Sequence, residues 1–103
     1  MARSWLFFWR RAAAKTPQVR VRLYTRAGCH LCDEAWTTLQ DARRRWGFML
    51  DAVDVDSDPK LVELYGAWVP VVTVDDRVRF RGNVNAVLLE RLLRAKCAQA
   101  SQH

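Results

Sequence analysis

Three kinds of feature are scarce or missing in this chain of 103 residues, and each absence argues against a class of protein. No apolar run approaches the ~20 residues that a membrane-spanning helix needs. The run "WLFFW" is shorter than the roughly 7–15 residues of the apolar core of a secretory signal. The three cysteines are an odd number and do not suggest a secreted scaffold held together by disulfides. These absences favour a protein of the reducing cytoplasm.

Acidic residues are absent before Asp33, whereas residues 1–18 contain three arginines and one lysine. The net charge is +6, but residues 19–103 carry 13 basic and 11 acidic side chains, so this part is nearly neutral. Nucleic-acid binders carry basic charge on the folded domain, and no nucleic-acid partner is therefore expected. We interpret residues 1–18 as a basic, aromatic extension. Because Trp5 and Trp9 would share one face of a helix, a membrane-surface contact is an alternative, as is a targeting segment.

The rest of the chain begins with a strand pattern and then a helix pattern. The stretch "VRVRLYT" alternates apolar and basic residues, which predicts a strand. From about His30, apolar residues recur at helical spacing until Gly47, a residue type that often follows a helix C-terminus. The residues that set this spacing are Leu31, Ala35, Leu39, Ala42 and Trp46.

The second half of the chain predicts three more strands and two more helices. Phe48–Asp56 has a strand pattern, and "SDPKLVELYG" predicts a short helix capped by Ser57 or Asp58. "VPVVTV" and "RVRFRG" predict two strands joined by a turn at the "DD" pair. A last helix is expected over about Val84–Cys97.

The resulting order is β-α-β-α-β-β-α. The first strand–helix–strand unit predicts a parallel pair with a right-handed crossover, and the second half adds an antiparallel hairpin. The sequence therefore predicts an α/β sandwich with a four-stranded mixed sheet. The domain would occupy residues 19–97, followed by a tail at 98–103.

Cys29 and Cys32 stand in a Cys-x-x-Cys spacing where the first strand gives way to the first helix. The free N–H groups and positive dipole end of a helix N-terminus favour a thiolate, and the pKa of such cysteines falls from ~8.5 to roughly 3.5–7.5. Cys29 is expected to be exposed and Cys32 to lie beneath it, while His30 and Arg26 add positive charge that would modulate the pair. This arrangement predicts a redox-active dithiol in which Cys29 attacks a disulfide and Cys32 resolves the mixed disulfide.

Two other interpretations of the pair stay open. The cysteines are structural, or the chain is a non-enzymatic module that binds a metal ion, an iron–sulfur cluster or a protein partner. A tetrahedral zinc site needs four ligands, and the remaining candidates are His30, Cys97 and His103. No metal site within one chain is therefore expected, whereas a cluster shared between two chains is an alternative to the redox dithiol.

Pro70 stands just before a predicted strand, a position that suits proline with either a cis or a trans peptide bond. If the Val69–Pro70 bond is cis and lies beside the dithiol, the backbone of Val69 would offer a free N–H and C=O to an extended substrate.

These residues resemble the glutaredoxin-like proteins of the thioredoxin superfamily. "YTRAGCHLCDEA" is similar to the glutaredoxin motif, and "VDVDSDP", "VPVV", the "DD" turn and "RGNV" follow in matching order. The Cys-His-Leu-Cys motif is similar to that of a group of small bacterial-type members. The resemblance implies a thioredoxin-like fold, a cis-proline at Pro70, and a contact from Arg26 to a glutathione carboxylate. The residues that it places at the site are Cys29, Cys32, Arg26, Val69, Pro70 and Gly82.

Several positions differ from the usual glutaredoxin pattern. An apolar Val84 stands at one of the two positions that typically carry carboxylates, and it cannot pair with the ammonium group of glutathione. The resemblance therefore supports the dithiol more than a dedicated glutathione site. The positions that differ are His30, Leu31, Trp68, Arg81, Val84 and Asn85.

The expected function is that of a thiol–disulfide oxidoreductase in cell redox homeostasis, which reduces protein or small-molecule disulfides. No tightly bound cofactor is expected. Glutathione or a thioredoxin-reductase-type partner would supply the electrons. Cys97, near the end of the last helix, is interpreted as a spare cysteine.

Overall fold

The computed structural model describes residues 18–101, with side chains described as far as Ala98. The extension predicted at residues 1–18 therefore lies outside the described residues except for Gln18. The order of strands and helices along the chain is the predicted one. The elements are β1 Arg20–Thr25, α1 His30–Trp46, β2 Met49–Asp54, a 3-10 turn Val55–Ser57, α2 Pro59–Tyr65, β3 Val71–Val74, β4 Arg77–Arg81 and α3 Ala86–Ser101.

The four strands form one mixed sheet in the order β2-β1-β3-β4. β1 and β2 are parallel, and α1 makes the crossover between them. β3 lies antiparallel to β1 on its other side, and β4 pairs with β3 as the second strand of a hairpin. The predicted α/β sandwich with a four-stranded mixed sheet is confirmed.

The main core lies between one face of the sheet and the helices α1 and α3. Val21 and Leu23 alternate with arginines along β1, so their side chains point to this face and are buried. Leu39 of α1 and Leu89 and Leu93 of α3 fill the other side of the core. Tyr24 points to the opposite face, where its ring centroid lies 4.6 Å from that of Tyr65, the last residue of α2.

The second strand ends two residues earlier than predicted. The carboxylate of Asp54 accepts a hydrogen bond from the backbone N–H of Asp56 (2.9 Å), and this contact turns the chain into the 3-10 turn. Asp58 then caps α2 by accepting from the N–H of Lys60 (2.9 Å), as the sequence predicted.

The last helix begins and ends later than predicted. The Asn85 side-chain oxygen accepts hydrogen bonds from the N–H groups of Val87 (2.9 Å) and Leu88 (3.0 Å), so Asn85 is the N-cap and the helix begins at Ala86. Val84, predicted as the first helical residue, precedes the cap and is buried in the core. At the other end the helix continues to Ser101, into the predicted tail.

The hairpin turn is confirmed at Asp75 and Asp76, whose φ angles are 50° and 70°. Two successive positive φ angles are the geometry of the type I′ turn, whose twist matches that of the flanking strands.

Gly47 ends α1 in the left-handed conformation, as its position in the sequence predicted. None of the helices in residues 18–101 has the length and apolarity needed to cross a membrane.

Candidate functional site

The candidate site residues meet at one end of the sheet. Tyr24, near the end of β1, pairs with Val71 at the start of β3, and Val71 pairs with Arg81 at the end of β4. Antiparallel pairing therefore places the loop after β1, the segment before β3 and the segment after β4 at the same end of the sheet. The Cys-x-x-Cys loop, Pro70 and Gly82 follow or precede these strands directly.

Cys29 is the N-cap of α1 and forms a disulfide with Cys32, with the two Cα atoms 5.2 Å apart. Its Sγ atom accepts a hydrogen bond from the backbone N–H of Cys32 (3.1 Å), and its carbonyl accepts from the N–H of Asp33 (3.2 Å). Two N–H groups of the first turn thus point at Cys29. The sulfur occupies the position of a capping oxygen, where a negative charge is stabilised by the helix N-terminus.

The two sulfurs differ in access to solvent. Cys32 is 1% exposed, whereas Cys29, which was predicted to be exposed, is half-buried. Cys32, Ala35 and Leu39 follow one another at helical spacing and face the core. Leu31, which the sequence pattern placed on this face, is instead 47% exposed. The apolar face of α1 therefore begins with the second cysteine.

Gly28 gives the loop its direction into Cys29. Its φ angle is +77°, in the left-handed region that favours glycine. The turn is closed by a hydrogen bond from the N–H of Cys29 to the carbonyl of Arg26 (3.2 Å). This turn brings the chain from the end of β1 into the first turn of α1.

The guanidinium group of Arg26 binds groups of its own chain. Its Nη2 atom lies 2.9 Å from a carboxylate oxygen of Asp56, and its Nη1 atom donates to the carbonyl of Gly66 (3.3 Å). The hydrogen bond from Arg26 lowers the pKa of Asp56, and the same bond raises the pKa of Arg26. The resemblance assigns this guanidinium to a glutathione carboxylate, but here the carboxylate of Asp56 and a backbone carbonyl occupy it.

His30, the first residue of α1, is exposed at the surface of the site. Its Nε2 atom lies 3.0 Å from a carboxylate oxygen of Glu34, one helical turn further on. The predicted modulating charge at His30 thus has a carboxylate beside it.

The Val69–Pro70 peptide bond is cis, as the resemblance implied. Among the described residues, no hydrogen bond engages the backbone N–H or C=O of Val69. Gly82 donates its N–H to the carbonyls of Trp68 (3.1 Å) and Pro70 (2.8 Å). The structure thus places Gly82 as a support for the segment around Pro70 and leaves the backbone of Val69 free.

Trp68 is 55% exposed beside this segment, and the guanidinium carbon of Arg81 lies 5.8 Å from its ring centroid. Sequence reasoning noted both residues only as departures from a pattern and did not connect them. It also missed Asp56 as the partner of Arg26. The sequence carried no signal for either contact, because each joins residues that are distant along the chain.

Two other predicted positions have structural roles. Val84 is buried, and Asn85 uses its side-chain oxygen to cap α3.

Cys97 is half-buried against the core, and burial raises the pKa of its thiol. Within the described part of the chain, no group of three or more histidine, cysteine, aspartate and glutamate side chains is arranged to hold a metal ion.

Comparison with known proteins places this arrangement in a family. Residues 20–94 match the sequence profile of the glutaredoxin-like domain (DUF836). The chain belongs to the glutaredoxin-like domain family. Among curated proteins, none is similar enough to this chain to be recognised as a relative.

Solved structures agree with membership of the glutaredoxin-like family. A protein from X. campestris is 36% identical to this chain, with a TM-score of 0.60. The match covers 73% of this chain and 96% of that protein. Protein Ne2328 from Nitrosomonas europaea is 25% identical, with a TM-score of 0.65 and coverage of 73% and 91%. The germline-specific thioredoxin Deadhead of Drosophila melanogaster, at 19% identity, has a TM-score of 0.56 and coverage of 85% and 90%. The last match shows a shared fold and confirms a thioredoxin-like architecture for this glutaredoxin-like protein.

Proposed function

We propose that this glutaredoxin-like protein is a dithiol–disulfide oxidoreductase that reduces protein or small-molecule disulfides. Cys29 is the attacking sulfur and Cys32 is the resolving sulfur. The observation that carries the proposal is the Cys29–Cys32 disulfide at the N-terminus of α1, at the same end of the sheet as the cis-proline.

The reaction starts from the reduced protein. The Cys29 thiolate attacks one sulfur of the substrate disulfide, which forms a mixed disulfide and releases the other substrate sulfur as a thiolate. The Cys32 thiol loses its proton and attacks the Cys29 sulfur, which releases the second substrate thiolate. Both leaving thiolates take up protons, so two electrons pass to the substrate and the protein ends as the disulfide.

The difference in burial supports this assignment of roles. Cys29 is accessible and lies at the positive end of the α1 dipole, where a thiolate is stabilised. Cys32 is buried, so an external disulfide reaches it only with difficulty, whereas the sulfur of Cys29 is next to it. The free backbone groups of Val69 would pair with an extended substrate held beside Cys29.

The contacts of Arg26 and Asn85 bear on which electron donor regenerates the protein. Glutathione reacts with accessible disulfides without a dedicated site, and the internal use of Arg26 and Asn85 in this chain argues against a specific one. We therefore propose that a dithiol reductant, such as a thioredoxin-reductase-type partner, regenerates the reduced protein.

A redox titration in glutathione buffers tests the proposal. The protein is quenched with acid, alkylated and weighed intact, and the sites are mapped. We expect reversible loss of two alkylatable thiols at Cys29 and Cys32, while Cys97 stays alkylatable throughout. If both thiols stay alkylatable across the whole range, the oxidoreductase proposal is wrong.

Two serine variants test the assignment of roles. Cys29→Ser should abolish disulfide exchange, because the nucleophile and the dithiol are lost together. Cys32→Ser should accumulate the mixed disulfide at Cys29 instead. Cys97→Ser serves as the matched control and should exchange at the rate of the unaltered protein. Equal residual activity in Cys29→Ser and Cys32→Ser would contradict the roles.

A further inference from the structure

The two edges of the sheet carry opposite charge. β2, at one edge, contains Asp51 and Asp54 and no basic residue. β4, at the other edge, contains three arginines in five residues and no acidic residue. We call the basic edge strand β4 the arginine edge, defined by Arg77, Arg79 and Arg81.

The arginines of this edge lack carboxylate partners. Elsewhere in the described residues, Arg20, Arg22 and Arg26 each pair with an aspartate. Among the residues whose side chains the structure describes, no ion pair involves Arg77, Arg79 or Arg81, and all three side chains are exposed. The edge therefore presents positive charge that no carboxylate in the described part of the chain neutralises.

The arginine edge leads to the candidate site. Arg81 pairs with Val71, the residue after the cis-proline, and its guanidinium group lies over the exposed ring of Trp68. Trp68 in turn precedes Val69, whose backbone is free. A segment bound at Val69 would thus extend past the ring of Trp68 and along β4. A register shift in the pairing of β3 with β4 places Arg81 and Arg77 on opposite faces of this strand, so the segment would meet positive charge on both sides.

We infer that the arginine edge and Trp68 form a docking surface for an acidic, extended polypeptide segment that carries the disulfide to be reduced. This inference rests on the proposed function and names its substrate class. Charge complementarity identifies the partner, because the guanidinium group over the ring of Trp68 and the two others on the same strand attract carboxylates and discriminate against basic segments. A polypeptide suits the position better than a nucleic acid, since the surface ends at a disulfide.

Edge strands also carry charged residues as protection against pairing with other chains. That role requires only charge, of either sign, on the strand. Docking of an acidic segment requires positive charge. Reversing the charge of Arg79 and Arg81 therefore keeps the protective role and removes the docking role, so the two explanations predict different results.

The test uses three synthetic peptides with one internal disulfide flanked by glutamates, glutamines or lysines. The protein is reduced and desalted, and the second-order rate constant for opening of the peptide disulfide is measured in a single turnover. We expect the glutamate peptide to react about tenfold faster than the glutamine peptide at low ionic strength, and the lysine peptide to react most slowly. The preference should shrink as salt shortens the Debye length from ~30 Å at 0.01 M to ~8 Å at 0.15 M.

Charge reversal locates the effect. The double variant Arg79→Glu/Arg81→Glu should lose the preference for the glutamate peptide and react normally with the small neutral disulfide of 2-mercaptoethanol. Arg44→Glu, in the last turn of α1 at the opposite end from Cys29, is the control and should keep the preference. Equal rates for the glutamate and glutamine peptides, or the same loss in the control, would overturn the docking inference.

Failure of the proposed function gives a different result, since no disulfide would then be opened. Docking is measured independently by fluorescence anisotropy of the glutamate peptide with serines in place of its cysteines. Binding that is weakened about tenfold by the double variant supports the docking surface whether or not the disulfide peptides react. Tighter binding of a single-stranded DNA of equal charge would overturn the assignment to a polypeptide.

Discussion

Cys29 combines two roles that a single residue type seldom supplies. Its sulfur takes the capping position that serine, threonine and aspartate usually fill, and the same sulfur is bonded to Cys32. The cap and the sulfur that we propose as the nucleophile are therefore the same atom. Any change in the turn before Cys29 displaces both, which makes Gly28 the residue on which this geometry depends most directly.

Gly28→Ala should lower the free energy of unfolding by about 1 kcal/mol, because a side chain disfavours the left-handed backbone that Gly28 adopts. No heavy atom lies within 4 Å of the added Cβ atom, so the cost comes from the backbone alone. Gly28→Asn is the matched variant and should cost less, since asparagine tolerates this conformation. Urea unfolding of the oxidised protein measures both values. Equal destabilisation by alanine and asparagine would contradict the explanation.

Single residues also show what sequence reasoning reaches and what it does not. The Cys29–Cys32 pair was predicted because its spacing and its place before a helix are local properties, whereas the cis bond at Pro70 was implied only by the resemblance. The partner of Arg26 was not predicted, because Asp56 lies 30 residues away and only the packing of the 3-10 turn brings the two together. The pairing of Arg81 with Trp68 was missed for the same reason.

At the scale of elements, caps decided where the helices begin. The pattern of apolar residues predicted every strand and helix in the described part of the chain, but it placed Val84 in α3 and extended β2 to Asp56. At both points a side-chain hydrogen bond sets the boundary instead. The side-chain oxygen of Asn85 accepts from backbone N–H groups at the start of α3, and that of Asp54 accepts from a backbone N–H group where β2 ends. A capping asparagine before an apolar run was the signal available for α3.

The β3–β4 hairpin offers a test of turn geometry. Asp76→Gly should be more stable than Asp76→Ala by about 1 kcal/mol, because φ is 70° at this position and both variants lose the exposed ion pair with Arg20. The midpoint of urea unfolding gives the difference. The same pair of substitutions at Arg77, the first residue of β4, should reverse the order, since glycine weakens strands. Alanine equal to glycine at position 76 would contradict a type I′ turn.

For the whole molecule, the topology sets which residues share the site. The end of β1, the start of β3 and the end of β4 lie at the same end of the sheet, so three segments that are separated along the chain meet there. The strand order also separates charge, with the acidic β2 and the basic β4 on opposite sides. Composition alone indicated a nearly neutral domain, and it could not show this separation because it depends on which strands become edges.

The pH dependence of global stability should depend on two carboxylates that join distant elements. The hydrogen bond from Arg26 lowers the pKa of Asp56. The pKa of Glu90 is lowered first by the hydrogen bond from the indole N–H of Trp46 (2.8 Å) and then by the charge of Arg45. Because both pKa values are lower in the folded state, the unfolded state binds more protons at acidic pH. Stability therefore rises as the pH increases from the lowered pKa values to the ordinary carboxyl pKa values.

The contribution of these carboxylates is therefore complete above the ordinary carboxyl pKa values and is lost as the pH falls through the lowered ones. The melting temperature of the unaltered protein should fall more steeply between about pH 5 and pH 2 than that of Asp56→Asn/Glu90→Gln. Glu63→Gln, which removes a carboxylate that makes no ion pair among the described residues, should leave the slope unchanged. Parallel curves for the unaltered protein and the double variant would mean that these ion pairs do not link the elements energetically, because a group that titrates equally in both states adds no slope.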